Sequence, residues 1–121
     1  MTNAREIEFF EISTTRSLLD EIEEDLTVRQ FAKLDRSIQR LEEHGWALDG
    51  TFFSKVQGTR EALREFRLTL DKVEYRILFT EEPGGVFVML VGYKEKANSI
   101  APGKIRSAEQ RIAIWRKRRG K

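Results

Sequence analysis

The chain has 121 residues, of which 40% are hydrophobic and 35% charged, with no cysteine, one histidine and a formal net charge of +2. That length supports one hydrophobic core and not two, so a single domain over residues 1–121 is expected. Without cysteine there are no disulfides, thiolate nucleophiles or cysteine-ligated metals, and one histidine is too few for a histidine metal site or a two-histidine nuclease.

Glu6 to Ile12 (EIEFFEI) reads as a first strand. Ser13, Thr14 and Thr15 offer capping hydroxyls for a short helix whose apolar positions are Leu18, Leu19, Ile22 and Leu26. Thr27 followed by Gln30 has the spacing of a capping box. The second helix carries Phe31, Leu34, Ile38 and Leu41 on one stripe. His44-Gly45 ends it, with the glycine suited to a left-handed position and the histidine favoured by the helix dipole rather than serving as a base. Helices so close in sequence are expected to form a hairpin, and Trp46 to pack beside its end.

From Phe52 the hydrophobic period changes from 3.6 to 2, with a short strand over about Phe52 to Val56 ahead of Gly58. Leu63 to Leu70, Asp71-Lys72 and Val73 to Phe79 then alternate on both sides of a tight turn. If Leu70 faces Val73, then Phe66 meets Ile77 and Leu68 meets Tyr75 on one apolar face, and Arg67 meets Arg76 on the other. A slip of one residue would set polar against apolar throughout, so this register is favoured. Like charges directly opposite on a sheet are destabilising, and an anion such as a phosphate between them is the readiest compensation.

Glu81 to Gly85 (EEPGG) is a turn, and Val86 to Tyr93 (VFVMLVGY) is apolar on both faces, as a central strand should be. Pairing Phe79 with Phe87, Ile77 with Met89 and Tyr75 with Val91 places Arg76 beside Leu90 and Lys94 on the arginine face. On this parity Tyr93 belongs to the core, and reaches a base only if the strand bulges at its end. Lys96 follows, and Lys55 could approach from the preceding strand. Pro102 starts a last helix with Ile105, Ala108, Ile112 and Trp115 on its buried stripe.

Charge is unevenly distributed. Residues 1–50 carry 6 basic and 12 acidic side chains, whereas residues 102–121 carry 8 basic and 1 acidic. A polyanion partner for the C-terminal part, with the acidic half facing away, is one expectation; a solvated tail is the other. Arg116, Lys117, Arg118 and Arg119 would then touch that polyanion. No apolar run approaches the roughly 18 residues of a membrane span and the N-terminus lacks a signal-peptide pattern, so a cytoplasmic protein without membrane contact is expected.

The arginine face with these lysines is expected to form a shallow basic cleft floored by small and aliphatic residues, which suits RNA better than a small metabolite. Cleavage by the ribose 2′-hydroxyl needs a base, an acid for the leaving group and positive charge at the phosphorane-like transition state. Arginine's planar fork can hold two phosphate oxygens, and crowded, desolvated lysines can move protons. The order and spacing of Leu63-Arg64-Glu65-Phe66-Arg67, Glu74-Tyr75-Arg76-Ile77-Leu78-Phe79, Leu90-Val91-Gly92-Tyr93-Lys94-Glu95-Lys96 and Pro102 with Ile105, Ala108 and Arg111 resemble the HigB branch of the RelE/HigB toxin superfamily, also described as phage-derived Gp49-like proteins. The likeness spans about residues 45 to 115. Glu95 departs from it, where a second lysine is common.

That resemblance implies an α+β, RelE-like microbial-RNase-type fold: an N-terminal strand and helical hairpin, a three- to four-stranded antiparallel sheet and a C-terminal helix. It implies a type II toxin that cuts messenger RNA on the ribosome without metal or other cofactor. A helix-turn-helix antitoxin would neutralise it, and operator DNA would be met only through that complex. Carried onto this chain, Arg67, Arg76 and Lys94 are the catalytic candidates. Lys55, Tyr93, Lys96 and residues Arg116, Lys117, Arg118 and Arg119 are the substrate-binding ones. The alternatives are a gyrase-inhibiting, ParE-like toxin of the same fold, and an RNA-binding adaptor that cuts nothing.

Overall fold

The structure, a computed structural model, describes residues 4–48, 53–56, 59, 62–95 and 100–120. Its centre is the predicted hairpin. Strands β5 (Arg64–Leu70) and β6 (Val73–Glu82) pair antiparallel, with Leu70 opposite Val73, Phe66 opposite Ile77 and Arg67 opposite Arg76. Asp71 in the turn takes φ 57°, a left-handed conformation that aspartate tolerates, and its carboxylate accepts a hydrogen bond from Lys33 at 2.6 Å.

β4 (Phe53–Lys55) adds to the free side of β5, and β7 (Val86–Lys94) to β6 across a turn in which Gly84 and Gly85 have φ of 93° and 76°. The expected antiparallel sheet is present with four strands, and a fifth joins it in parallel. β1 (Glu6–Phe9) runs parallel to β7, pairing Glu6 with Val86 through Phe9 with Met89, which gives a mixed five-stranded sheet in the order β1-β7-β6-β5-β4. The predicted first strand is also broken. After Phe10 the chain turns into a small ribbon of β2 (Glu11–Ser13) and β3 (Arg16–Ser17).

Helix α1 (Leu18–Asp25) therefore starts later than Ser13 to Thr15 suggested, at Ser17, whose backbone N–H and hydroxyl both donate to the Asp20 carboxylate, at 2.8 and 3.3 Å. α2 (Val28–His44) begins at the expected capping box, where Thr27 and Gln30 each accept a hydrogen bond from the other's backbone N–H, at 3.1 and 2.9 Å. It ends at Gly45, with φ 53°. Leu34, Ile38 and Leu41 are buried from α2, against a face lined by Phe66, Phe79 and Phe87. Trp46 joins this cluster, 4.9 Å from Phe87 and 5.1 Å from Phe53 between ring centroids.

α3 (Pro102–Gly120) lies over the other face. Ala108 and Ile112 are buried on the predicted stripe, with Ile105 and Trp115 packed beside them. Arg116 clamps the buried carboxylate of Glu82 through two nitrogens at 2.8 and 3.0 Å. Burial works against that charge, but Arg116 together with Thr80 outweighs it and holds the Glu82 carboxyl below its ordinary range. Among the described residues no helix is long and apolar enough to cross a membrane.

Gly92 is a point of close approach between β7 and α1. A Cβ there would stand 3.0 Å from two carbons of Ile22 and 3.0 Å from the Tyr75 hydroxyl, both side chains being buried. Gly92→Ala is expected to cost roughly 1–3 kcal/mol through overpacking. Urea denaturation checks this, and unchanged stability would show that α1 yields freely.

Candidate active site

The hairpin register puts Arg67 and Arg76 opposite each other, and β7 completes a row by pairing Tyr93 with Arg76. The row differs from the sequence expectation. Phe79 faces Met89 rather than Phe87, and an irregularity between Leu78 and Phe79 leaves one extra residue on β7 before Leu78 meets Val91. A bulge of this kind reverses which side chains point to which face. Tyr93 moves from the expected core face to the arginine face. Lys94, expected beside the arginines, instead pairs with Tyr75 on the opposite face, its ammonium 3.9 Å from Asp25.

Arg76 is nearly buried, with 10% of its side chain exposed. Its Nη1 donates to Glu65 Oε2 at 2.8 Å and its Nη2 to Glu95 Oε1. Burial opposes the guanidinium's charge, but Glu65, and Glu95 after it, more than offset this and raise its pKa. Arg67 is 42% exposed, with its Nε 3.7 Å from Glu65 Oε1. The anion expected between the two arginines is therefore in part the chain's own Glu65 carboxylate, which is 3% exposed as a residue.

Tyr93 presents a hydroxyl that is shielded from water beside the Arg76 guanidinium. Burial pushes its pKa up to about 12; Glu65 adds to the shift and Arg76 opposes it. The phenol thus keeps its proton at neutral pH beside a guanidinium and two carboxylates. Lys104, from the first turn of α3, stands with its ammonium 5.5 Å from the centre of the Tyr93 ring. Because Arg76 stays bonded to Glu65 and Glu95 without it, Tyr93→Phe is expected to leave stability unchanged within about 1 kcal/mol. A lower melting temperature would contradict this description.

A family model described as phage-derived protein Gp49-like matches residues 19–113. The chain belongs to this family. The Gp49-like family is a RelE/HigB-like toxin family, so its members are toxin-like proteins of toxin–antitoxin type. No curated protein matches the chain.

The remaining candidates of this Gp49-like chain are spread over the molecule. Lys55 is exposed and pairs with Arg64, whose guanidinium lies 5.9 Å from the Trp46 ring, so Lys55 belongs to the face opposite Arg67. Lys96 falls outside the described residues. The basic end of α3 is helical to Gly120 and is engaged within the chain. Arg116 holds Glu82, Arg118 donates to the Glu11 carbonyl at 3.0 Å, and Arg119 lies 3.5 Å from Glu8 and 4.7 Å from the Trp115 ring centre. Lys117 is exposed. Arg116 sits at Glu82, six residues along β6 from Arg76, or about 20 Å at roughly 3.3 Å per residue. The expected separation of an acidic half from a basic tail is incomplete, because the fold brings the Glu8 carboxylate onto α3.

The sequence pattern alone points to neither Glu65 nor Lys104, and marks Glu95 only as a departure from the family's motif. Glu65 could have been found from its parity with Arg67. Glu95 and Lys104 depend on the bulge and on where α3 starts, which no local pattern reports.

Proposed function

We propose that the chain is a RelE-like endoribonuclease toxin that cuts messenger RNA bound to the ribosome without metal. Its cognate helix-turn-helix antitoxin would neutralise it, and operator DNA would be met only through that complex. The observation that carries this reading is the row Arg67–Arg76–Tyr93 with the Glu65 carboxylate between the guanidiniums. The two arginines would hold the scissile phosphate and the charge that builds on it. Glu65 would accept the proton of the attacking 2′-hydroxyl as the new P–O2′ bond forms. As the P–O5′ bond breaks, the leaving oxygen, far more basic than a phenolate, would take the Tyr93 proton. The products are a 2′,3′-cyclic phosphate and a 5′-hydroxyl.

Lys94 and the basic end of α3 have no part in this chemistry, and Lys104 replaces Lys94 as the lysine beside the row. With Arg76 already held by carboxylates and no histidine in the row, the chain would be slow on free RNA. Orientation of the substrate by the ribosome fits that requirement. The occupied fork of Arg76 also favours a second reading, an RNA-binding member of the family that cuts nothing.

RNA carrying a single 2′-O-methyl group at the cut nucleotide tests the reading. Resistance of that site, with cyclic phosphate ends on the unmodified substrate, is the expected result. Cutting of the modified site would overturn the mechanism, and intact RNA bound in a salt-dependent way would favour the second reading.

A further inference from the structure

The two carboxylates on Arg76 differ in how they are held. Glu65 projects from the middle of the hairpin, its side chain 5% exposed, and reaches toward both arginines. Glu95 is the residue just beyond β7, its side chain 19% exposed, and its backbone N–H donates to the Glu74 carbonyl at 2.9 Å. It is a peripheral group hydrogen-bonded to Nη2 of a nearly buried arginine. A carboxylate offers a guanidinium the same paired oxygens as a phosphodiester. Both therefore compete for one seat.

The bulge decides which charge occupies that seat. Continuing the Phe79–Met89 pairing without the extra residue would set Gly92 opposite Arg76 and carry Lys94 to the arginine face. With the extra residue, Tyr93 faces Arg76 and Glu95 follows on the same side. The negative charge at the end of β7 is thus directed at Arg76 by the backbone, while the neighbouring lysine is turned away to Asp25.

We infer that Glu95 is a built-in competitor for the substrate phosphate, filling the Nη2 position of Arg76 in the free chain and leaving when RNA binds. The inference rests on the proposed reading of the site and adds a control to it. A seat that is open in only about one molecule in ten weakens apparent affinity about tenfold. Glu95→Gln keeps the size of the side chain and removes the charge that competes.

Glu74 supplies the comparison. It lies on the same face, exposed, and accepts a hydrogen bond from Thr69 at 2.7 Å without touching Arg76. Glu74→Gln therefore reports the general effect of removing one negative charge near the site. The probe is a short, fluorescently labelled RNA with 2′-O-methyl groups throughout, titrated by anisotropy at fixed ionic strength.

Glu95→Gln is expected to bind about tenfold more tightly than wild type, and Glu74→Gln by less than about twofold. Equal gains in the two variants, or none in Glu95→Gln, would overturn the inference. Arg67→Ala separates the two levels of the argument. If it binds the probe as well as wild type does, the proposed site fails, and the competitor reading with it. If it binds more weakly while Glu95→Gln gains nothing, only the competitor reading fails.

Discussion

Arg76→Ala is expected to destabilise the protein by roughly 3–5 kcal/mol, because it leaves a buried carboxylate without its partner. The pair concerned is Arg76 Nη1 with Glu65 Oε2 at 2.8 Å, with side-chain exposures of 10% and 5%. The cost is the desolvation of Glu65 left uncompensated, rather than the worth of the ion pair itself. Glu95 is no remedy, since it carries the same sign. Replacing both partners by apolar residues, Glu65→Leu with Arg76→Met, is expected to bring stability closer to wild type than Arg76→Ala alone, as buried pairs exchanged whole often cost little. Urea denaturation with an unchanged slope would measure both effects. Losses that simply add in the double variant would show that the two side chains act independently, against the geometry described here.

Arg67→Ala has its largest expected effect on activity. Arg67 is 42% exposed and its nearest carboxylate atom is 3.7 Å away, so its removal leaves no buried charge stranded. Stability should change by about 0.5 kcal/mol or less, as for an ordinary surface substitution. On the proposed mechanism it removes one of two positive groups aimed at the phosphorane, which is worth roughly 10²–10³ in rate. The two arginines thus separate what their opposed register joins. Arg76 supports both the fold and the site, whereas Arg67 tests the site alone. A preserved rate in a folded Arg67→Ala protein would remove it from the machinery.

The difference between the two hairpins shows what could be read from the sequence. β5 and β6 alternate cleanly about Asp71-Lys72, so a one-residue slip would set Phe66, Leu68 and Leu70 against polar partners, the tight turn fixes the rest, and every pair found is the pair expected. β7 is apolar on both faces, and a one-residue change costs such a strand little in burial. Its register was therefore open to error, and the displaced pairing with its bulge moved Tyr93 into the row and Lys94 out of it. The capping box at Thr27 was legible because both its hydrogen bonds are local.

β1 shows the opposite limit. Glu6 to Phe9 has the composition of a strand, but its parallel partner lies about 80 residues away and is chosen by the tertiary fold. The basic end of α3 taught a similar lesson. A run of four cations suggested contact with an external polyanion, yet acceptors on β1, β2 and β6 take three of them. Charge runs state what must be compensated, not where the compensation comes from.

The central claim, that Arg67 and Arg76 form the seat of a cleaved messenger RNA phosphate, is tested most directly by mapping 5′ ends. Wild type and Arg67→Ala would be induced to equal levels, and primer extension run on cellular messenger RNA. The account predicts new, codon-phased 5′ ends with wild type and their loss in the folded variant. Growth arrest with intact messenger RNA, or the same cuts with Arg67→Ala, would contradict it.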